Sequence, residues 1–280
     1  MVNIVEREEL NSTVTKLVVE APLIAKKAKP GQFVVLRLHK LGERIPLTIA
    51  DTDKEKGTVT IIFQLVGKTT MTLNTLQVGD KILDFVGPLG VPSKIEGLKK
   101  VCVIGGGVGC AIAYPTAKAL HENGAEVTVI SGFRNKDLLI LEDEFKAAST
   151  KIYIMSDDGS VGEKGLVTNK LAELLIAGEK FDEVITIGPL NMMKFVCKLT
   201  EEYKVKTMVS MNSIMIDGTG MCGCCRLSVN GEMKFACVDG PDFDGHQIDF
   251  DEAIARSGQY ADFEAKAREE ECNLLNKEVV

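Results

Sequence analysis

The chain has 280 residues, 45% of them hydrophobic and 26% charged, with a net charge of −7 at pH 7. This length allows two compact domains and a small appended lobe, and the composition is that of a soluble globular protein. A net acidic chain lacks the basic face that nucleic acid or an anionic membrane requires, and no apolar run approaches the ~20 residues that span a bilayer. Glu6, Glu8 and Glu9 near the start do not resemble a secretory signal, so the expected location is cytoplasmic.

From the start to about Glu96, β-prone runs at residues 14–19, 33–38 and 58–66 alternate with turn residues at Pro30-Gly31, Gly57 and Gly79-Asp80. This spacing predicts a small antiparallel barrel, interrupted by one helix over residues 70–76. Gly67-Lys68-Thr69-Thr70 looks like the end of a P-loop, but Ile62 stands where a Walker motif needs its first glycine. What remains is a helix N-terminus whose N–H groups and hydroxyls suit a phosphate of some other ligand.

From Leu98 the rhythm changes. Apolar runs at residues 101–104, 127–130, 152–155, 184–187 and 207–209 read as buried strands. Helical patterns at 111–121 and 166–177 close near Asn123-Gly124 and Gly178. Strands alternating with helices predict a parallel, doubly wound sheet, with the boundary between the two regimes near residues 94–99. The first strand runs into Gly105, Gly106, Gly107, Val108 and Gly109 and then a helix, an order that brings backbone N–H groups and a helix dipole to a pyrophosphate. The match to G-x-G-x-x-G is not strict, because its third glycine position is Cys110.

After Ser210 both rhythms stop. Cys102, Cys110 and Cys197 are isolated in apolar segments and read as buried, inert thiols. Cys222, Cys224, Cys225 and Cys237 instead fall within a short glycine-rich stretch and a hairpin that turns at Asn230-Gly231 and brings Cys237 back near Cys225. Three thiolates, Cys222, Cys225 and Cys237, need a fourth ligand: Asp217 is well placed and Cys224 competes. Thiolates in glycine-rich loops favour an iron–sulfur cluster over zinc, whose four-cysteine sites pair two Cys-x-x-Cys units where this chain has one. Residues 249–275 are charged and helix-prone, with spaced apolar positions Ile254, Phe263, Leu274 and Leu275. The expected units are therefore a barrel (1–96), a nucleotide domain (97–210), a cluster lobe (211–248) and a helical tail (249–280).

Barrel plus nucleotide domain resembles the ferredoxin–NADP reductase superfamily. Asp217-x4-Cys222-x2-Cys225-x11-Cys237 is similar to the 2Fe–2S motif of class 1B dihydroorotate dehydrogenase electron-transfer subunits, which have cysteine at the first position. It is closer to the small subunits of NADH-dependent reduced-ferredoxin:NADP oxidoreductases, also called sulfide dehydrogenases, where an aspartate stands first. The run from Cys237 to His246 resembles those subunits too. The resemblance implies that Arg44 binds the FAD pyrophosphate, with Pro46, Leu47 and Thr48 completing that motif, and that Gly67, Lys68, Thr69 and Thr70 form a second flavin-phosphate contact. Pro46 stands where many superfamily members have an aromatic, so stacking on the flavin must come from elsewhere. Gly87-Pro88-Leu89-Gly90 matches the family's barrel exit. Gly105 to Gly109, together with Gly188, Pro189 and Met192, look like its two nicotinamide-nucleotide signatures.

The implied function is that of an electron-transfer flavoprotein subunit using NAD(H), FAD and a 2Fe–2S cluster. It would work within an electron-bifurcating oxidoreductase, beside a larger flavin and iron–sulfur subunit and with ferredoxin as an indirect partner. Arg134 after the second strand and Asp157 and Asp158 after the third bear on NAD against NADP, and the family choice is NAD. No catalytic triad or paired carboxylate is needed, and His39, His121 and His246 read as structural or surface residues. The alternatives are the electron-transfer subunit of an NAD-dependent dihydroorotate dehydrogenase and, in another class, a zinc-binding interaction module with a degenerate nucleotide fold.

Overall fold

The computed structural model describes the backbone of residues 1–277 and the side chains of residues 1–270. Its first sheet contains β1 (Val2–Asn11), β2 (Val14–Glu20), β3 (Phe33–Arg37), β4 (Ile45–Asp53), β5 (Thr58–Gln64), β6 (Lys81–Ile82) and β7 (Asp84–Leu89). The order β6-β1-β2-β5-β4-β3-β7 is antiparallel throughout and curls into a nearly closed barrel. The β2–β5 register sets Leu17 opposite Ile61 and Val19 opposite Val59, all fully buried, and each such side chain stabilises the barrel by about 1.5–3 kcal/mol. A short helix, α1 (Pro22–Ala25), was not expected. The expected helix, α2 (Lys68–Thr75), begins earlier because the Thr70 hydroxyl accepts the N–H groups of Gly67 (3.0 Å) and Val66 (3.1 Å) and caps the turn before it.

The second sheet begins with β8 (Lys100–Gly106), followed by α3 (Gly109–Glu122), β9 (Glu126–Phe133), α4 (Glu142–Ala147), β10 (Lys151–Ser156) and β11 (Glu163–Lys164). It continues with α5 (Val167–Ile176), β12 (Glu183–Ile187), α6 (Leu190–Glu202) and β13 (Thr207–Ser210). The order β11-β10-β9-β8-β12-β13 is parallel, and a last strand, β16 (Asp242–Asp244), is added antiparallel beside β13. The central strands are continuous apolar runs because helices cover both faces. Cys102, Cys110 and Cys197 are buried here, and burial pushes the Cys110 and Cys197 thiols up to about 12, so they are inert as expected.

The edge strand β16 (Asp242–Asp244) comes from the cysteine-rich stretch and pairs antiparallel with β13. That stretch also forms the hairpin β14 (Arg226–Val229) and β15 (Glu232–Phe235), then α7 (Ala236–Asp239). Asn230 and Gly231 have φ of +51° and +75°, the two-residue turn that suits strand twist. The stretch has no core of its own: Cys225, Leu227, Val229 and Cys237 pack with Phe33 and Val35 of the barrel and Met193 of α6. Asp242 ties the parts together, its half-buried carboxylate accepting from Ser93 Oγ at 2.5 Å in the connection after β7. Burial raises its pKa above the ordinary aspartate value, and the serine hydroxyls of Ser93 and Ser210 partly oppose that shift.

The tail forms α8 (Phe250–Ser257), which packs on α6 and β14, and α9 (Ala261–Lys277), which lies against α2. Phe263 is 75% exposed. The side chains of Leu274 and Leu275, and residues 278–280, lie outside the described residues. No helix among the described residues is long and apolar enough to cross a membrane. Barrel and second sheet also share a core, since Val14, Ala50 and Ile62 pack with Ala113 and Ala117 of α3, and Lys118 Nζ pairs with Asp51 at 2.8 Å.

Candidate functional site

A cavity of about 1270 Å³ runs between the barrel and the C-terminal ends of the parallel strands. In a sheet of this topology the loops after β8 and β12 part at the switch point, which opens a crevice for ligands. A volume above the ~300–1,000 Å³ of a single-ligand pocket suits two dinucleotides better than one small molecule.

The glycine turn after β8 forms one wall. Gly107 has φ +56° and its N–H donates to Gly132 O at 2.8 Å, folding the turn back on β9. Gly106 faces Gly188 so closely that a Cβ on Gly188 would lie 3.2 Å from the Gly106 backbone. A Cβ on Gly109 would lie 2.5 Å from Ile187 O, so Gly109 provides the close helix–strand packing that a fingerprint assigns to its third glycine. Cys110 can therefore occupy the nominal position: its side chain turns inward beneath Gly105, where a Cβ would meet Cys110 Sγ at 2.7 Å. Gly106, Gly107, Val108 and Gly109 line the cavity with Gly188, Pro189 and Met192, whereas Gly105 lies beneath the surface.

On the barrel side Pro46, Leu47, Thr48 and Thr70 line the cavity. Arg44, Gly67, Lys68 and Thr69 are not among its walls. Arg44 Nε donates to Ile216 O at 3.0 Å, and Thr69 Oγ1 donates to Glu43 Oε2 at 2.5 Å. The aromatic rings in the lining are Phe33, Phe63, Phe133 and Phe195, which are candidates for the flavin contact that Pro46 does not make. Sequence reasoning missed Ser210, Met211, Asn212, Ser213 and Met215, which cross the cavity after β13. Their signal was their place after a parallel strand, where ligand loops cluster. Arg134 and Asp157 line the cavity, while the hydroxyl and N–H of Ser160 hold the Asp158 carboxyl below its ordinary pKa. No histidine lines the cavity; His246 Nε2 lies 3.0 Å from Thr200 Oγ1.

The clustered cysteines are not among the cavity's walls; Cys225 and Cys237 pack with Met211 and Met215 of the segment after β13. The hairpin brings Cys225 and Cys237 together, with Cys237 N–H donating to Cys225 Sγ at 3.4 Å, and both are 2% exposed. Cys222 is exposed, and its thiol is held below its ordinary value by the Cys224 backbone N–H, with help from Asp217 and Ile216 N–H groups. Asp217 does not reach the thiols: its carboxylate accepts from Thr219 N–H (2.9 Å), Met221 N–H (3.3 Å) and the Thr219 hydroxyl. Those bonds, led by the hydroxyl, hold its pKa below the ordinary aspartate value. No three His, Cys, Asp or Glu side chains converge as a ready metal site among the described residues. The donor chemistry nonetheless fits an iron–sulfur cluster, since soft thiols sit beside backbone N–H groups aimed at sulfur.

Comparison with known proteins agrees with this geometry. Residues 212–249 match the iron–sulfur cluster binding domain of dihydroorotate dehydrogenase B, and residues 103–198 match an oxidoreductase NAD-binding domain. A Thermotoga maritima homologue of the dihydroorotate dehydrogenase B (NAD+) electron transfer subunit is 49% identical over 93% of this chain and 92% of its own. A chain in the structure of an NADH-dependent reduced ferredoxin–NADP oxidoreductase, solved for insight into flavin-based electron bifurcation, superposes with a TM-score of 0.91. It is 46% identical, and the match covers 96% of this chain and 97% of the other. An Amycolatopsis cytochrome P450 reductase shares the fold, with a TM-score of 0.61 and 20% identity over 72% of this chain and 65% of its own.

Proposed function

This chain belongs to the family of dihydroorotate dehydrogenase B electron-transfer subunits and their homologues, and from that membership we infer that it passes electrons between NAD(H), FAD and a 2Fe–2S cluster. Within the family we propose the small subunit of an electron-bifurcating NADH-dependent oxidoreductase. The observation that carries this choice is the near full-length likeness to the chain of that enzyme. Its partner is then a larger flavin and iron–sulfur subunit, with ferredoxin acting through that partner, and its location is cytoplasmic, without membrane or nucleic acid. The relatives named as dihydroorotate dehydrogenase subunits favour a second reading, in which the partner oxidises dihydroorotate.

FAD, when bound, exchanges electrons in pairs with a nicotinamide and singly with an iron–sulfur centre. The chain's task is placement and exclusion of water. In this reading residues 1–96 hold the flavin, with Pro46, Leu47 and Thr48 along its edge, and with Arg44 and the Gly67-Lys68-Thr69-Thr70 helix end at its phosphates. Residues 97–210 hold the nucleotide: the turn from Gly105 to Gly109 offers N–H groups to its pyrophosphate, and Gly188, Pro189 and Met192 shape the nicotinamide end. Met192, Met211 and Met215 keep this space apolar. Residues 211–248 hold the cluster through Cys222, Cys225 and Cys237, with Asp217 as fourth ligand once its carboxylate turns from the loop N–H groups, and residues 249–280 form the tail.

Anaerobically purified protein should contain stoichiometric flavin and iron, and NADH should reduce the flavin much faster than NADPH, as Asp157 in the cavity lining would repel a 2′-phosphate. Colourless protein, or a strong NADPH preference, would count against the reading. Asp217→Cys should keep the cluster but change its electron paramagnetic resonance spectrum and midpoint potential, because a thiolate replaces a harder carboxylate. An unchanged spectrum and potential would assign the fourth position to Cys224.

A further inference from the structure

Building on the flavin and cluster reading above, we propose that Arg44 is a positioning residue that couples flavin binding to the order of the cysteine loop. Arg44 lies just before β4, in the barrel, yet its Nε donates to the carbonyl of Ile216, the residue before Asp217. The contact spans 172 residues of sequence and joins the flavin motif to the start of the cluster motif. A guanidinium has five N–H donors in a rigid fork, so a bond from Nε leaves the terminal nitrogens able to pair with a diphosphate. One side chain can therefore serve a loop carbonyl and a phosphate together.

Neighbouring contacts make this link mechanical. Glu43 reaches the opposite way and accepts from Thr69 Oγ1 at 2.5 Å at the N-terminus of α2. Glu43 and Arg44 are thus held between the expected phosphate cradle and the cysteine loop. The loop itself sits directly on the barrel: Gly218 has φ +81°, and a Cβ there would lie 2.8 Å from Leu89 Cδ1 and 3.0 Å from Val35 Cγ2. Phe33, on the same strand as Val35, both lines the cavity and lies 4.0 Å from that Cβ position. A ligand that fixes Arg44 and Phe33 therefore fixes two supports of the loop. Linkage then requires that flavin stabilise the cluster by the same factor as the cluster tightens flavin.

The test uses the full chain with its cluster reconstituted anaerobically, and follows iron transfer to the chelator 2,2′-bipyridyl with and without saturating FAD. Wild-type protein should lose iron on the order of tenfold more slowly with FAD, within the usual range of coupling between sites. In Arg44→Gln that protection should vanish. Arg44→Lys should still bind FAD, by flavin fluorescence, but show little protection, because a single ammonium does not bridge carbonyl and diphosphate as a fork does. Equal melting temperatures of the cofactor-free variants would separate this loss from misfolding. Undiminished protection in both variants, or wild-type iron loss indifferent to FAD, would overturn the proposal. A protein that takes up neither flavin nor iron would overturn the functional reading beneath it.

Discussion

Cys237→Ser is expected to remove the iron while leaving flavin binding in place. Cys237 is 2% exposed and stands beside Cys225, held there by the Asn230-Gly231 turn and by the bond from its N–H to Cys225 Sγ. Burial, the adjacent Cys225 thiol and the charge of Cys222 push its own thiol up to about 12, opposed by the N–H of Gly220. Metal binding must displace that proton, so the free energy of iron binding is spent partly on making a buried thiolate. Serine offers a harder and less acidic oxygen, a poor substitute for a thiolate, and iron content should fall on the order of tenfold or more. A hydroxyl without its metal in this core should also cost about 1–3 kcal/mol in melting experiments. Cys224→Ser, altering the partly exposed thiol that the hairpin does not enclose, is the control and should retain iron if Asp217 is the fourth ligand. Wild-type iron content in Cys237→Ser would remove this residue from the ligand set.

Gly109→Ala should disable the nucleotide site. The added Cβ would lie 2.5 Å from Ile187 O and 2.7 Å from Gly188 Cα, and these are backbone atoms at the end of β12. Neither atom can rotate away, so α3 must lift from β12, and both nucleotide loops lose their register. Overpacking of this kind costs about 1–3 kcal/mol. If a similar loss falls on binding, affinity for NADH drops on the order of tenfold or more, since each 1.4 kcal/mol is a factor of ten. Gly106→Ala provides the contrast: its nearest neighbour is Met192 Sδ at 2.5 Å, at the flexible end of a side chain that can move aside. Flavin reduction titrated with NADH, alongside melting temperature and iron content, measures both variants. Wild-type NADH dependence in Gly109→Ala would mean that the close approach of α3 to β12 does not shape the site.

Much of this was legible in the chain because it depends on local chemistry. Apolar runs at residues 101–104 and 184–187 read as buried strands, and Asn230-Gly231 read as a hairpin turn, whose positive φ angles the structure shows. The density of Cys222, Cys225 and Cys237 signalled soft-metal chemistry without any structure. Other features depended on what meets across the fold. The third glycine seemed to be replaced by Cys110, but the close approach is made by Gly109, because the distance from α3 to Ile187 O is set by the β8–β12 pairing and not by a motif count. The cavity segment from Ser210 to Met215 carries no local signature. It becomes a wall because β13 delivers it to the end of the sheet where the other ligand loops gather.

The cysteine-rich stretch shows the same division. Its thiols, gathered in a short glycine-rich stretch and a hairpin, indicated a cluster from the sequence alone. Only the tertiary structure placed β16 on the edge of the nucleotide sheet, Gly218 against Leu89 and Val35, and Ile216 under Arg44. Sequence patterns encode what a segment needs, such as burial, a turn or a soft ligand, because those needs are set within a few residues. Which distant segment satisfies them depends on strand order and on chain packing over more than a hundred residues, and no local pattern contains that information.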